Sequence, residues 1–235
     1  MIGSRQFGPG TAAGSTPPTH CDEPLPRTAL SVVQGSPRHL EAHLRRLEAG
    51  ALASGQPVAW LLGLQRALEV WLAAEVPSED AALHLVLDPG HGWVSARLEP
   101  LPVAPRPYRL VVLSHPLGGR QADPTVVHKG LAGPWALDIL TTVRQHGAED
   151  ALLLWPDGSL AETAIASVGI EFAGSLWIPH APGRVASLTE RLELPAWAAS
   201  RNLQITMAEV PLSLARQGQV WCMNALRGIW PADPL

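Results

Sequence analysis

Lys129 is the first candidate for a catalytic residue in this chain, because it is the only lysine. Lysines and arginines together number 17, so the other 16 are arginines. A primary amine forms an imine with a carbonyl compound, whereas a guanidinium does not readily do so. A single lysine in an arginine-rich chain is therefore a candidate for covalent catalysis. Composition alone leaves a second explanation open, in which Lys129 is a chance residue on a solvated surface.

Other candidate residues stand in an ordered series of segments on both sides of Lys129. The segments are 43–47 (HLRRL), 147–154 (GAEDALLL), 157–163 (DGSLAET) and 223–228 (MNALRG). In this order they resemble the class IV aminotransferase and aminodeoxychorismate lyase family, whose members are fold-type IV enzymes that use pyridoxal phosphate (PLP). The resemblance covers residues 38–231 and favours a shared fold over coincidence.

The resemblance implies a role for three charged residues. Lys129 forms the Schiff base with PLP and then acts as a base beside the reacting carbon. Glu162 pairs with the pyridine nitrogen and keeps it protonated, so that the ring accepts electrons. Arg46, rather than Arg45, falls on the phosphate-binding arginine, whose fork of donors suits a phosphate. The alternatives are a glutamate on a hairpin surface and an arginine on a solvated helix face.

A second group of residues is expected to contact the cofactor through neutral donors. Residues 187–189 (SLT) resemble the family's GIT loop, so Leu188 and Thr189 are predicted to offer backbone N–H groups to the phosphate at a helix N-terminus. Thr163 and Ser167 are also candidates for cofactor contacts. Buried hydroxyls often bond nearby backbone instead, which is the alternative for both.

The last motif is expected to border the substrate. Asn224 and Arg227 occupy its polar positions, and Arg227 is predicted either to bind a substrate carboxylate or to form an interface salt bridge. No metal site is predicted, because none of the nine histidines occurs in an HxH or HExxH arrangement. His128 is not expected to cooperate with Lys129, since adjacent strand residues point to opposite faces.

Composition restricts the remaining classes of function. Hydrophobic residues make up 46% of the 235 residues, which is enough for a core. A net charge of -4 without any Lys/Arg run argues against nucleic acid or an anionic membrane as partner. No apolar stretch reaches the roughly 20 residues that span a bilayer. Cys21 and Cys222 lack metal-ligand spacing and the N-terminus lacks a signal segment, so a cytoplasmic location is expected.

The elements that must position these residues follow from hydrophobic spacing and turn signals. In the first half, strands are predicted at 28–34, 83–88, 93–98 and 108–114, and helices at 39–51 and 57–75. In the second half, a short strand leads into Lys129, and helices are predicted at 135–145, 188–202 and 212–217. Further strands are predicted at 151–155, 159–162, 168–172, 175–178, 204–210 and 219–224.

These elements predict a two-domain α/β fold made of α+β lobes. Residues 1–26, rich in glycine and proline, are predicted to be irregular or flexible. Residues 27–114 are predicted to form a small α+β domain, 115–124 a linker, and 125–235 a larger α/β cofactor-binding domain. The resemblance implies the D-amino acid aminotransferase-like arrangement of fold-type IV enzymes, with PLP between the lobes, and a homodimer.

The resemblance also implies a reaction. The short chain, the HLEAHLRRLEAGA helix and the NALRG motif are more similar to aminodeoxychorismate lyases, which release pyruvate from 4-amino-4-deoxychorismate and leave the folate precursor 4-aminobenzoate. Transamination of a branched-chain or D-amino acid by the same residues is the alternative within the family. A non-catalytic protein with the PLP fold is the alternative from another class, because Ser167 and Glu190 replace the family's usual Asn and Arg and the N-terminus looks truncated relative to the family.

Overall fold

A computed structural model describes residues 3–8, 24–56, 58–76, 78–118, 128–129, 135–180 and 184–235. These residues form two compact units. The first comprises the described parts of Met1–Pro102 and Pro124–Gly133, and the second those of Val103–Asp123 and Pro134–Leu235. Each unit contains a sheet and helices, so the predicted mixed α/β class is confirmed.

The first unit is a five-stranded antiparallel sheet with two α-helices. Its strands are β1 (Gly3–Phe7), β2 (Arg27–Val33), β3 (Ser36–Pro37), β4 (Ala81–Asp88) and β5 (Trp93–Pro100). Their order across the sheet is β1-β5-β4-β2-β3. The helices are α1 (Leu40–Ala53) and α2 (Gln65–Glu75), and a 3-10 turn at Leu61–Leu64 precedes α2.

Helix α1 forms the predicted amphipathic element because its apolar residues recur every three or four positions. The residues that it buries in the core of the first unit include Leu40, Leu44, Leu47 and Ala51. Gly50 is required where α1 passes Pro26, since a Cβ at this position would stand 2.9 Å from the Pro26 Cβ. With 14 residues, α1 is the longest described helix, and no helix among the described residues could cross a membrane.

Strand β1 corrects the prediction that residues 1–26 are irregular or flexible throughout. It pairs antiparallel with residues 94–98 of β5. Its sequence lacks apolar alternation, and only Phe7 is buried, with its ring centroid 5.7 Å from that of Trp71. The strand forms because β5 offers unpaired backbone groups at a sheet edge, which no local pattern reveals. Residues 9–23 of this segment lie outside the described residues.

The second unit is built on an eight-stranded mixed sheet. Its strands are β6 (Arg109–Ser114), β7 (Asp150–Leu154), β8 (Leu160–Thr163), β9 (Ser167–Phe172), β10 (Ser175–Pro179), β11 (Gln204–Ala208), β12 (Gln219–Asn224) and β13 (Gly228–Pro234). Their order is β11-β10-β9-β12-β13-β6-β7-β8. Its helices are α3 (Trp135–Gln145), α4 (Leu188–Leu192), α5 (Leu194–Ser200) and α6 (Leu212–Ala215).

Strand β7 carries a continuous apolar run because both of its faces are buried. Leu152 belongs to a core that also contains Leu110 of β6. Its neighbours on either side in the chain, Ala151 and Leu153, belong to a second core with Val143 of α3. The alternation follows from the two-residue period of a strand. Strand β7 lies between β6 and β8, the strand that carries Glu162.

The strands that make up the second sheet differ from those predicted. Strand β6, which the sequence analysis placed in the small domain, runs parallel to both β7 and β13 in the second unit. Strand β13 was not predicted as a strand. Lys129, placed in the larger domain by sequence, groups with the first unit. Spacing predicts that a segment is a strand, but the sheet that it joins depends on pairing partners far along the chain.

The predicted helix at 188–202 is two short helices. Helix α4 ends at Leu192 and α5 begins at Leu194, with Pro195 in its first turn. Proline is tolerated in a first turn, where no N–H is needed, but it removes a hydrogen bond from a helix interior. The chain therefore breaks at Glu193, and the prediction that the helix continues through Pro195 was wrong.

Candidate active site

Lys129 lies in a turn of the first unit, and its side chain is exposed. Its carbonyl oxygen accepts a hydrogen bond from the Arg27 N–H at 3.1 Å, which ties this turn to the start of β2. The predicted strand before it falls on residues 125–127, outside the described residues, and His128 lies in a bend. An amine presented on an anchored turn is accessible to a carbonyl compound.

Helix α1 distinguishes the two adjacent arginines. Arg45 is exposed and forms an ion pair with Glu41 at 2.7 Å, one turn earlier. Arg46 is half-buried. It lies close enough to the buried His43 for its charge to lower the pKa of that imidazole, as the charge of Lys129 also does. The structure thus brings Arg46 and Lys129 to the surroundings of one histidine, and Arg46 remains the proposed phosphate ligand.

Glu162 is a buried residue of β8 rather than a glutamate on a hairpin surface. All four residues of this strand are buried. Its Oε1 lies 3.5 Å from Nε2 of His115, whose side chain is fully buried at the end of β6. A carboxylate removed from water is costly unless a partner compensates it. Its position is therefore better explained by a specific partner than by packing.

The turn that follows Glu162 is held by buried polar groups. The Thr163 hydroxyl accepts from the Ala166 N–H at 2.8 Å and donates to the Ala166 carbonyl. The Asp150 carboxylate accepts from the N–H groups of Ala151 and Ala164 at 2.8 and 3.0 Å. Burial raises the pKa of Asp150 to about 6. The Thr163 hydroxyl thus bonds the backbone of the turn. Such a backbone contact was the alternative to a cofactor contact in the sequence analysis.

Ser167 links the strand β9 to the predicted phosphate loop. Its Oγ accepts a hydrogen bond from the Ser187 N–H at 2.8 Å. Ser187 in turn caps α4, because its Oγ accepts from the Glu190 N–H at 3.1 Å. Leu188 and Thr189 form the buried start of α4. The Thr189 hydroxyl is buried without a hydrogen-bond partner among the described residues.

Glu190, where the family has an arginine, is compensated from another part of the chain. Arg184 donates to both of its carboxylate oxygens, at 2.8 and 2.6 Å, and to the Pro179 carbonyl at 2.8 Å. Both side chains are more than nine-tenths buried. Burial raises the pKa of Glu190, and the charge of Arg184 opposes that rise. The carboxylate that departs from the family pattern is therefore compensated by Arg184.

Asn224 and Arg227 occupy structural positions in the turn between β12 and β13. The Asn224 side chain accepts from the N–H groups of Leu226 and Arg227 at 3.1 and 2.9 Å, and donates to the Ile165 carbonyl. The Arg227 guanidinium packs over the rings of Tyr108 and Trp230. Their predicted contact with substrate stays a prediction, and both side chains also maintain this turn.

Three residues of this site were not identified by sequence: His115, Asp150 and Arg184. Asp150 stands inside a recognised motif, and a charged residue before a run of buried apolar residues could have marked it. His115 was assigned to the linker, and no local pattern relates it to Glu162, 47 positions later in the chain. Arg184 can be recognised only by its contact with Glu190, and in the sequence Glu190 indicated only a departure from the family pattern.

One comparison with known proteins identifies a family. A model of the class IV aminotransferases matches residues 28–234. A comparison with curated protein sequences finds no match.

Solved structures of similar fold include enzymes with different reactions. A fold IV transaminase from Curtobacterium pusillum has a TM-score of 0.79 at 18% identity, over 95% of this chain and 83% of that one. The PLP-bound form of a hypothetical aminotransferase from Mycobacterium tuberculosis has a TM-score of 0.80 at 19% identity, over 99% and 91%. A 4-amino-4-deoxychorismate lyase from Pseudomonas aeruginosa has a TM-score of 0.71 at 21% identity, over 99% and 91%. At these identities the likeness shows the fold alone.

Proposed function

Because this chain belongs to the class IV aminotransferase family, we propose that it is a PLP-dependent 4-amino-4-deoxychorismate lyase, which releases pyruvate and leaves 4-aminobenzoate. The observation that carries the enzyme assignment is that the second unit buries a carboxylate, that of Glu162, and a hydroxyl without a hydrogen-bond partner among the described residues, that of Thr189. The choice of the lyase is supported by the short chain and by the HLRRL and NALRG motifs.

PLP, the cofactor predicted from sequence, is supported by the family match and by the PLP-bound structure from Mycobacterium tuberculosis. The residues present fit its two ends. A phosphate accepts hydrogen bonds, and the Thr189 hydroxyl is a buried donor without a partner among the described residues, in the first turn of α4 where Leu188 and Thr189 also carry backbone N–H groups. A pyridine nitrogen that is protonated donates a hydrogen bond, and the buried Glu162 carboxylate accepts one.

When bound, PLP supplies a carbonyl that captures amines and a ring that accepts electrons. Lys129 is proposed to hold the cofactor covalently through Nζ, because it is the chain's only primary amine on a side chain. When it is not bonded to the cofactor, Nζ would take the proton from the substrate ring carbon. It then returns a proton to the departing pyruvate carbon, so one group acts as base and as acid.

Two charged side chains are proposed to set the electrostatics of this chemistry. A Glu162 oxygen holds the proton on the ring nitrogen, and burial strengthens this interaction because water does not screen it. The Arg46 guanidinium binds the phosphate as a planar donor. Ser167, through Ser187, positions the start of α4 where Leu188 and Thr189 offer their donors.

The test of the lyase assignment is product formation with a matched variant. Purified protein loaded with PLP should convert 4-amino-4-deoxychorismate into equal amounts of 4-aminobenzoate and pyruvate. The Lys129→Arg variant keeps the positive charge but lacks the primary amine, so its rate should fall by roughly 10³-fold or more.

A different outcome would identify the reaction of the alternative. If the loaded protein transfers amino groups from branched-chain or D-amino acids and forms no 4-aminobenzoate, the lyase assignment is wrong and the transaminase assignment replaces it. Transamination is the alternative reaction to test, because the Curtobacterium pusillum transaminase has a similar fold.

A further inference from the structure

His115 is held in a narrow aromatic slot formed by Trp135 and Trp155. Its ring stacks on that of Trp155, with centroids 4.4 Å apart and planes at 28°, and it lies 5.2 Å from the Trp135 centroid. The backbone N–H of His115 donates to the Leu154 carbonyl at 2.8 Å, which fixes the chain at the same point. A ring confined on two sides has few orientations, so its two nitrogens point in defined directions.

The hydrogen bond made by one ring nitrogen of His115 determines whether the other nitrogen carries a proton. The Leu117 N–H donates to Nδ1 of His115 at 3.2 Å. Nδ1 therefore carries no proton, since it must offer a lone pair to accept this bond. A neutral imidazole then has its proton on Nε2. Nε2 is consequently a donor, buried in the second unit.

This donor lies near the carboxylate of Glu162. Nε2 lies 3.5 Å from Oε1, within ion-pair distance, and makes no hydrogen bond with any described residue. A buried N–H without an acceptor is destabilising by the cost of its lost hydration. A small movement of Glu162 would complete the bond and satisfy both groups.

We propose that His115 is a positioning residue for the proposed PLP site: Nε2–H holds one carboxylate oxygen of Glu162, so that the other oxygen faces the pyridine nitrogen. This inference rests on the proposed function, which assigns Glu162 to that nitrogen. A carboxylate has two oxygens and can accept from both sides. Partners behind a functional group commonly fix its orientation and strengthen its interaction.

The surroundings of Glu162 increase the need for such a donor. The carboxyl of Glu190 lies close enough that the charge of Glu162 adds to the burial that raises the Glu190 pKa. Arg184 compensates Glu190 with two hydrogen bonds. Two neighbouring carboxylates in a buried region repel each other. The His115 N–H offers Glu162 a hydrogen-bond donor, as the Arg184 guanidinium does for Glu190.

The test compares two variants that differ in the donor. His115→Gln can present a side-chain N–H near the position of Nε2, whereas His115→Leu fills the aromatic slot without any donor. The dissociation constant of PLP is measured by titrating each apoprotein and following tryptophan fluorescence. His115→Leu should raise the dissociation constant on the order of tenfold, and His115→Gln by no more than about twofold, because only the donor positions Glu162.

A double-mutant cycle separates positioning from packing. In a Glu162→Gln background, His115→Leu should have almost no further effect on PLP binding, since the partner of the donor has gone. Equal affinities of the Leu and Gln variants, or additive effects in the cycle, would overturn the proposal.

Two controls keep the result interpretable. Thermal unfolding of each apoprotein shows whether the variant folds, and nitrogen NMR of wild-type His115 tests the tautomer without any variant; a proton on Nδ1 would also overturn the proposal. Borohydride labelling of wild-type Lys129 tests the proposed function separately. If that labelling succeeds while the cycle is additive, only the role of His115 fails; if the wild type takes up no PLP, both fail.

Discussion

At the scale of the residue, His43 shows how the first unit maintains a neutral group beside proposed cofactor ligands. Its Nδ1 lies 2.6 Å from the Thr28 hydroxyl, and the side chain is almost completely buried. The pKa of His43 is lowered to about 3, mainly by burial and also by the charges of Arg46 and Lys129. The imidazole is therefore uncharged at any pH near neutrality.

The stability of the apoprotein should depend on pH through His43. An unfolded histidine has a pKa of 6.5, whereas the folded one has a pKa of about 3, so the unfolded state binds a proton between these values. Its contribution to stability is present above pH 6.5 and is lost as pH falls toward 3. Relative to His43→Asn, the wild type should lose stability between pH 7 and pH 4, measured by urea unfolding. Parallel pH profiles for the two proteins would show that His43 titrates normally.

The motif residues could be located from sequence because their neighbours in the chain identify them. Lys129 and Glu162 stand in ordered segments, and the structure shows Glu162 buried and Lys129 accessible. His115 could not be located in this way. Its proposed role depends on Trp155 and Glu162, which approach it when β6, β7 and β8 pair, and on Trp135 at the start of α3.

At the scale of the element, the first turn of α4 depends on buried polar partners rather than on helix length. Helix α4 has only five residues, too few for a stable isolated helix. The Ser187 cap and the Ser167 hydroxyl hold the first turn of the helix in place. The ion pair with Arg184 holds the side chain of Glu190, the third residue of the helix. Removing one member of this pair leaves the other charged and buried.

Replacing Arg184 by Met should therefore be strongly destabilising. The loss of a partner from a buried ion pair costs about 3–5 kcal/mol, and the free energy of unfolding of the apoprotein should fall by that amount. The double variant Arg184→Met with Glu190→Gln should recover a large part, because no unpaired charge remains. Urea unfolding of the wild type and both variants is the measurement. A single variant as stable as the wild type would mean that the pair contributes nothing to α4.

Elements with strong local patterns could be predicted, and those defined by distant partners could not. The spacing of leucines located α1, and the alternation of apolar residues located β4 and β5. Strand β1 has no such pattern and exists through its pairing with β5. The break between α4 and α5 reflects Pro195, a local signal that the apolar periodicity on both sides outweighed in the prediction.

At the scale of the whole molecule, the candidate residues are divided between the two compact units. Lys129 and Arg46 belong to the first, while Glu162 and Thr189 belong to the second. Family resemblance predicts two lobes, but the place of β6 was wrong, because apolar alternation does not encode the sheet that a strand joins. The homodimer implied by the resemblance stays a prediction.

Binding of PLP should stabilise the entire fold by mass action. A ligand that binds only the folded state adds RT ln(1 + [L]/Kd), about 2.7 kcal/mol at 100 times the dissociation constant. The wild type should therefore melt at a higher temperature with PLP than without it, and Lys129→Arg should gain less because it lacks the covalent link. Differential scanning calorimetry measures both. Equal gains would argue against a covalent role for Lys129.

The most direct test of the account is to reduce the PLP-loaded protein with borohydride and map the modified peptide by mass spectrometry. Because Lys129 is the only lysine, the account predicts one stable pyridoxyl adduct, on the peptide that contains this residue, and none in Lys129→Arg. Failure of the wild type to retain the label at Lys129 would contradict the covalent PLP enzyme and leave the non-catalytic fold as the explanation.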